Sequence, residues 1–256
     1  MLGFMNNKLP ILIAGPCVIE SESTMNSIAE RLVAISESGK YSVYFKASFD
    51  KANRTSCKSF RGPGLKDGVS VLKQIKDQYS LRIVTDIHEA NQADLVAEVA
   101  DIIQIPAFLC RQTDLIQSAA RTGRIVNIKK GQFVSGEDMF FAVEKARVAE
   151  AGTVFVTERG NSFGYNDLVV DFRNIAIMKS FADAVIMDCT HSVQKPSSMN
   201  GVSGGSPQYI KAMAMAAKAF GADGYFFEVH PSPKDSLSDA GCILDLANLE
   251  SIVNEL

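Results

Sequence analysis

No apolar run in the 256 residues approaches the roughly 18 needed to span a bilayer, so no membrane segment is expected. The N-terminus, MLGFMNNKLPILIAGPC, lacks a basic start followed by a long apolar core, which argues against a signal peptide. The five cysteines (Cys17, Cys57, Cys110, Cys189, Cys242) are odd in number and scattered. They fit a reducing cytoplasm better than a disulfide framework. Basic excess is missing too: 26 Lys and Arg stand against 29 Asp and Glu. The net charge of −3 argues against a nucleic-acid surface, which normally needs a basic face. There is no Pro/Gly-rich linker, low-complexity tract or sequence repeat, so nothing divides the chain into separate units. The glycine-rich pieces Gly62–Gly64 and Gly201–Gly205 match neither GxGxxG nor a P-loop lysine motif, and nucleotide binding has no support.

What is present is an ordinary globular mix, 46% hydrophobic and 21% charged. Short runs rich in Val, Ile and Phe recur at Ile11–Gly15, Ser42–Ala47, Arg82–Asp86, Asp101–Pro106, Ile125–Lys129, Val154–Glu158, Ala184–Asp188 and Tyr225–Val229. They are mostly unalternated, as strands covered on both faces read in a parallel sheet. Helical patterns fill the gaps. Thr24–Ser36 puts Ile28, Leu32 and Ile35 on one face and stops at Gly39. Ser135 caps a helix whose stripe is Phe140, Val143 and Ala146, and Ser206-Pro207 starts one carrying Ile210, Met213 and Ala217. Eight such units in one chain of this length predict a single-domain (β/α)8 barrel, with residues 1–10 as a cap on its bottom. A doubly wound open sheet is the alternative.

In such a barrel the chemistry lies at the C-terminal ends of the strands. The unusual polar residues of this sequence fall there. The densest stretch, KASFDKANRTS (Lys46–Ser56), supplies Lys46, Lys51 and Arg54 with Ser48, Asn53, Thr55 and Ser56. Cations beside short hydrogen-bonding side chains suit phosphate and carboxylate oxygens. Read alone, the stretch could be a solvated basic loop. With Arg111, Lys129 and Arg159 at other strand ends, six cations are expected to converge on one mouth, enough for more than one anionic group. A second chemistry is open at Cys17, His191, Glu228 and Asp239. One thiolate, one imidazole and two carboxylates suit a divalent ion such as Zn²⁺, Fe²⁺ or Mn²⁺. Singly, Cys17 reads as a small buried hydrophobe, His191 as a structural histidine and Glu228 as a lysine partner, and no CxxC or HxxxH signature joins them.

The segments IAGPCVIES, FKASFDKANRTS, FRGPG, TDIHE, QIPAFLCRQTDL, NIKKGQF, TERGNSFGYN, DCTHSVQ and FEVHPSP run in this order along almost the whole chain. Together they resemble the 3-deoxy-D-manno-octulosonate 8-phosphate (KDO 8-phosphate) synthases of lipopolysaccharide synthesis, with KANR the most specific part. The resemblance implies condensation of phosphoenolpyruvate with D-arabinose 5-phosphate and water on a (β/α)8 barrel that assembles as a homotetramer. It implies that Lys46, Ser48, Lys51, Gln104, Ala107, Lys129, Arg159 and His191 hold phosphoenolpyruvate. Asn53, Arg54 and Thr55 would hold the sugar phosphate, Arg111 would reach in from a neighbouring subunit, and Asp86 would contact sugar hydroxyls. Cys17 stands where a metal-independent branch has Asn. The resemblance therefore implies the metal-dependent branch, with Cys17, His191, Glu228 and Asp239 holding Zn, Fe, Mn or Co. Thr55 and Gly131 depart from the commoner Ser and Pro. A DAHP-type synthase using another aldose phosphate, and a non-catalytic phosphosugar-binding barrel, are the alternative readings.

Overall fold

The computed structural model describes residues 9–54, 59–163, 167–199 and 202–256. Eight parallel strands alternate with helices: β1 Ile11–Gly15, β2 Ser42–Lys46, β3 Arg82–Asp86, β4 Ile102–Ile105, β5 Ile125–Lys129, β6 Val154–Glu158, β7 Ala184–Asp188 and β8 Gly224–His230. Each pairs with the next, and β8 returns to pair with β1, with Ile11 opposite Gly224 and Gly15 opposite Glu228. The sheet is closed, so the barrel reading holds and the open doubly wound sheet is excluded. Strand four is shorter than expected. The Asp101 carboxylate instead accepts from the Ile83 N–H (2.8 Å) and from Lys76 (2.9 Å) beside the strand.

The unalternated runs reflect two different apolar environments. Leu12, Ala14, Val43 and Phe45 belong to the layer between barrel and helices. Ile13, Tyr44, Val84, Ile102, Phe155, Ile186 and Phe226 pack against one another inside the barrel. Both sets are dry, so period-2 alternation of polarity disappears. Toward the C-terminal ends the interior turns polar. Thr157 Oγ1 donates to Asn127 Oδ1 (2.8 Å), and Asn127 Nδ2 donates to Gln104 Oε1 (3.1 Å).

Helix α1 spans Glu22–Glu37, capped by Ser21, and buries Ile28, Leu32 and Ile35 as its spacing predicts. It is followed by α2 Leu65–Tyr79, α3 Ala93–Ala97, α4 Thr113–Arg121, α5 Met139–Val148, α6 Arg173–Met178, α7 Ile210–Ala219 and α8 Leu246–Val253. The stripe of α5 needs one correction. Phe140 is 44% exposed, and Met139, Ala142, Val143 and Ala146 face the core, because the helix begins only at Met139, with Asp138 rather than Ser135 at its N-cap position. Ser135 still accepts from the Asp138 N–H. Two short hairpins were not anticipated: Asn161–Ser162 with Leu168–Val169, and Gln194–Met199 with Val202–Gly205. Most of the expected N-terminal cap, Met1–Lys8, lies outside the described residues, as does Thr55. Among the described residues no helix is long and apolar enough to cross a membrane.

Candidate active site

The site begins where β1 and β2 end. Gly15 lets the two strands approach so closely that a Cβ there would lie 1.9 Å from the Lys46 carbonyl oxygen. The chain beyond continues against the β2 loop, the Ile19 N–H donating to the Ser48 carbonyl (2.9 Å). Cys17 is thereby set beside Lys46, whose ammonium donates to the Cys17 carbonyl (3.0 Å) and to Glu228 Oε1 (2.9 Å). Phe226 forms the floor, with the Lys129 ammonium 3.6 Å from its ring centroid.

Above this floor a cavity of about 590 Å³ opens at the C-terminal mouth. Lys46, Lys51, Asn53, Arg54, Asp86, Gln104, Ala107, Lys129, Arg159, His191, Glu228 and Asp239 all line it. Three expected residues among the described ones do not: Ser48, Cys17 and Arg111. Ser48 is wholly buried behind the lining, donating to Asp86 Oδ1 (2.6 Å) and accepting from the Lys51 ammonium (2.9 Å). Cys17 is also wholly buried, its sulfur 2.8 Å from Ser238 Oγ and 3.2 Å from Asp239 Oδ2. Arg111 requires a correction: five of the six cations converge, but Arg111 lines an adjoining groove with Gln112, Thr113 and Asp114, which shares His88 and Leu109 with the mouth.

Asp188 has a double role that its place at a strand end did not reveal. Its Oδ2 lies 2.8 Å from His191 Nδ1 and accepts a hydrogen bond from Lys129, while Oδ1 accepts the His191 N–H (2.8 Å). The ring is therefore held with Nε2 toward Glu228 Oε2 (3.4 Å) and Asp239 Oδ2 (3.8 Å). Ligand atoms of Cys17, Glu228 and Asp239 lie within 4.8 Å of one another, and Asp239 takes a left-handed backbone (φ +52°) to reach them. Such strain in a non-glycine residue persists only where surrounding contacts enforce it. Gln194, absent from the expected set, bridges this cluster to the anion side: it donates to Asp239 (3.3 Å) and accepts from Arg159 (3.4 Å).

Burial and charge compete throughout. Burial alone would raise the Glu228 carboxyl, but His191, Lys46 and Lys51 outweigh it and bring it down to about 2. Asp86 likewise resists burial, because His88, Lys46 and Lys51 hold it well below the usual carboxylate range. Burial pushes the Cys17 thiol up, with Glu228 adding to the effect. Burial lowers Lys129 despite Asp188 and Glu228.

Five buried side-chain polar atoms have no hydrogen-bond partner among the described residues: Arg54 Nε, His88 Nδ1, Gln132 Oε1, Arg159 Nε and Glu228 Oε2. All five residues line this one cavity. An unmade buried hydrogen bond costs about 1–3 kcal/mol, so their gathering at one place marks where a ligand completes the structure.

A closed parallel barrel with a cation-lined, incompletely satisfied mouth defines the class: a (β/α)8-barrel enzyme acting on anionic substrates. The chain belongs to the DAHP synthetase I family, which matches residues 5–256. Among its relatives, the 2-dehydro-3-deoxyphosphooctonate aldolase of Campylobacter jejuni subsp. jejuni serotype O:23/36 is 51% identical, covering 97% of this chain and 96% of the relative. Proteins of the same name from Helicobacter hepaticus and Helicobacter pylori (strain P12) are each 50% identical over 96% of this chain, covering 95% and 94% of their own lengths.

Proposed function

We propose that this protein condenses phosphoenolpyruvate with D-arabinose 5-phosphate and water to give 3-deoxy-D-manno-octulosonate 8-phosphate and inorganic phosphate, in the cytoplasm, for lipopolysaccharide synthesis. The observation that carries this is the set of five orphaned polar atoms around a mouth lined by five cations. The names of its half-identical relatives support the choice of substrates. Lys46, Lys51, Lys129, His191 and Arg159, with Gln104 and Ala107, hold phosphoenolpyruvate. Ser48 acts from behind by fixing Lys51 and Asp86. Asn53, Arg54 and Thr55 hold the sugar phosphate, and Asp86 holds sugar hydroxyls. Arg111, absent from the lining of its own mouth, serves a neighbouring subunit of a homotetramer.

The reaction joins C3 of the enol to the aldehyde carbon. Water oxygen bonds to C2, and the C2–O bond breaks with its electron pair leaving on phosphate. One proton of the water ends on the former aldehyde oxygen and the other on the departing phosphate. Lys46, Lys51, Lys129 and Arg159 neutralise the enol's phosphate and carboxylate and hold it at reacting distance from the aldehyde.

The residues present fit a divalent ion. Glu228 Oε2 is buried without a hydrogen bond among the described residues, beside a thiol, an imidazole and a second carboxylate. Cys17, His191, Glu228 and Asp239 would hold Zn²⁺, Fe²⁺, Mn²⁺ or Co²⁺, as in the metal-dependent branch. When bound, such an ion supplies electrophilic polarisation of oxygen.

The deciding assay measures phosphate release from phosphoenolpyruvate with arabinose 5-phosphate against erythrose 4-phosphate. Turnover only with erythrose 4-phosphate would favour the DAHP reading that the family's description suggests, and no turnover with either would favour a binding barrel. Treatment with a strong chelator is expected to remove most activity, and Mn²⁺, Fe²⁺, Co²⁺ or Zn²⁺ to restore it. Full activity after verified metal removal would leave Cys17 as a packing residue.

A further inference from the structure

Gln132 is one of the five residues with an orphaned atom, and nothing above gives it a role. It lies three residues past Lys129, in the turn closed by the Val134 N–H to the Gly131 carbonyl (3.1 Å). Its own carbonyl accepts from the Ser162 N–H (3.0 Å), which ties that turn to the loop after β6. The side chain lines the cavity, and Oε1 is buried with no partner among the described residues.

An acceptor in a mouth built of cations cannot serve the anionic oxygens that those cations bind. Phosphate and carboxylate oxygens repel a carbonyl oxygen, so once they occupy the cations' N–H groups, Oε1 is left to an O–H donor. The reactants bring such donors in two places: the sugar hydroxyls and the water. Asp86, Asn53 and Arg54 stand on the β2–β3 side of the ring. Gln132 follows β5, its turn is tied to the loop after β6, and it lines the same cavity as Lys129 and Arg159 from that side of the closed strand order. The donor on that side is the water that adds to the enol held by Lys129 and Arg159.

We infer that Gln132 is a further substrate-contacting residue: its Oε1 accepts a hydrogen bond from the water that attacks C2, and from the C2 hydroxyl once formed. A neutral amide is no base, so it takes no proton. It orients the water oxygen toward C2, while the protons pass to the aldehyde oxygen and the leaving phosphate as in the balance above.

This rests on the proposed condensation, so the wild type is assayed first. Failure to use arabinose 5-phosphate would overturn that reading rather than the role of Gln132. Gln132→Met keeps the length of the side chain and removes the acceptor. Turnover is expected to fall about 10- to 100-fold, with the KM for both substrates and the calorimetric affinity for phosphoenolpyruvate within about twofold of wild type. Gln132→Glu keeps an acceptor but adds negative charge beside the two cations. It is expected to retain turnover within about tenfold while the KM for phosphoenolpyruvate rises about tenfold. A packing role would not produce this crossed pattern. Unchanged turnover in the Met variant, or a loss of turnover matched by weaker phosphoenolpyruvate binding, would overturn the inference. Should the Met variant not fold, the Glu variant decides: a collapse of turnover at unchanged KM would overturn it equally.

Discussion

Two lysine–glutamate pairs lie fully buried at the strand ends of this barrel, and they differ in what they leave unpaired. Lys130 and Glu158 (3.4 Å) are both wholly buried. Lys130 also donates to the Val134 carbonyl (3.2 Å) and to Asn161 Oδ1 (2.6 Å). Glu158 Oε1 accepts the N–H groups of Arg159 (2.8 Å) and Gly160 (2.6 Å), and Oε2 accepts from Asn174 (3.0 Å). The other pair, Lys46 and Glu228, is equally buried, yet Glu228 Oε2 has no hydrogen bond among the described residues and faces His191 Nε2 at 3.4 Å. The first pair stitches two loops together and fixes the backbone from which Arg159 projects. The second is a pair left open for a ligand. Burial and ionic partnership alone do not separate structure from function here; completeness of hydrogen bonding does.

The largest expected effect breaks the open pair. Glu228→Gln should lower turnover by at least about 100-fold, and the charge lost beside Lys46, Lys51 and His191 should also cost about 3 kcal/mol of stability. Glu158→Gln should cost about as much in urea denaturation but leave turnover within about tenfold. One amide oxygen cannot serve two N–H groups and a buried ammonium. An inactive but fully stable Glu158→Gln would erase the distinction.

A smaller effect separates the two anion sites. Arg159→Ala should raise the KM for phosphoenolpyruvate about 10- to 100-fold with little change for the sugar phosphate, and Arg54→Ala should do the reverse, since each loses a charged donor. Equal changes in both constants for both variants would mean that the mouth acts as one undivided anion site.

The smallest effect is a pH dependence. The folded Asp86 carboxyl is held below its unfolded value near 3.9, so its contribution to stability is present above that value and is lost as pH falls toward the folded pKa. The gap in denaturation midpoint between wild type and Asp86→Asn should be widest above about pH 5 and narrow below about pH 4. A gap that does not change with pH would show that the charge of Asp86 contributes nothing.

Much of this was legible in the sequence because barrel strands are local and repetitive. β1, β3, β5, β6 and β7 begin and end where the apolar runs do, and polar residues cluster at one end of each. Local patterning cannot reveal relations between loops. The Gln194 hairpin, the bridge from Gln194 to Asp239, and the removal of Arg111 from its own mouth all depend on which loop bends toward which neighbour. Phe140 shows the same limit within one helix, where a start at Met139 rather than just after Ser135 goes with a stripe of Met139, Ala142, Val143 and Ala146.

The sequence by itself determined the barrel, the strand ends and the chemical types gathered there, since period, length and polarity are properties of neighbouring residues. Only the tertiary structure decided which of those groups are satisfied. Glu158 and Glu228 each end in a carboxylate near the close of a strand, and nothing local distinguishes them. The closed sheet brings Asn174 and two backbone N–H groups to the first and leaves one oxygen of the second without a hydrogen bond among the described residues, beside Cys17, His191 and Asp239. Hydrogen-bond completion is a property of three-dimensional neighbours, and it is set only when the ring closes.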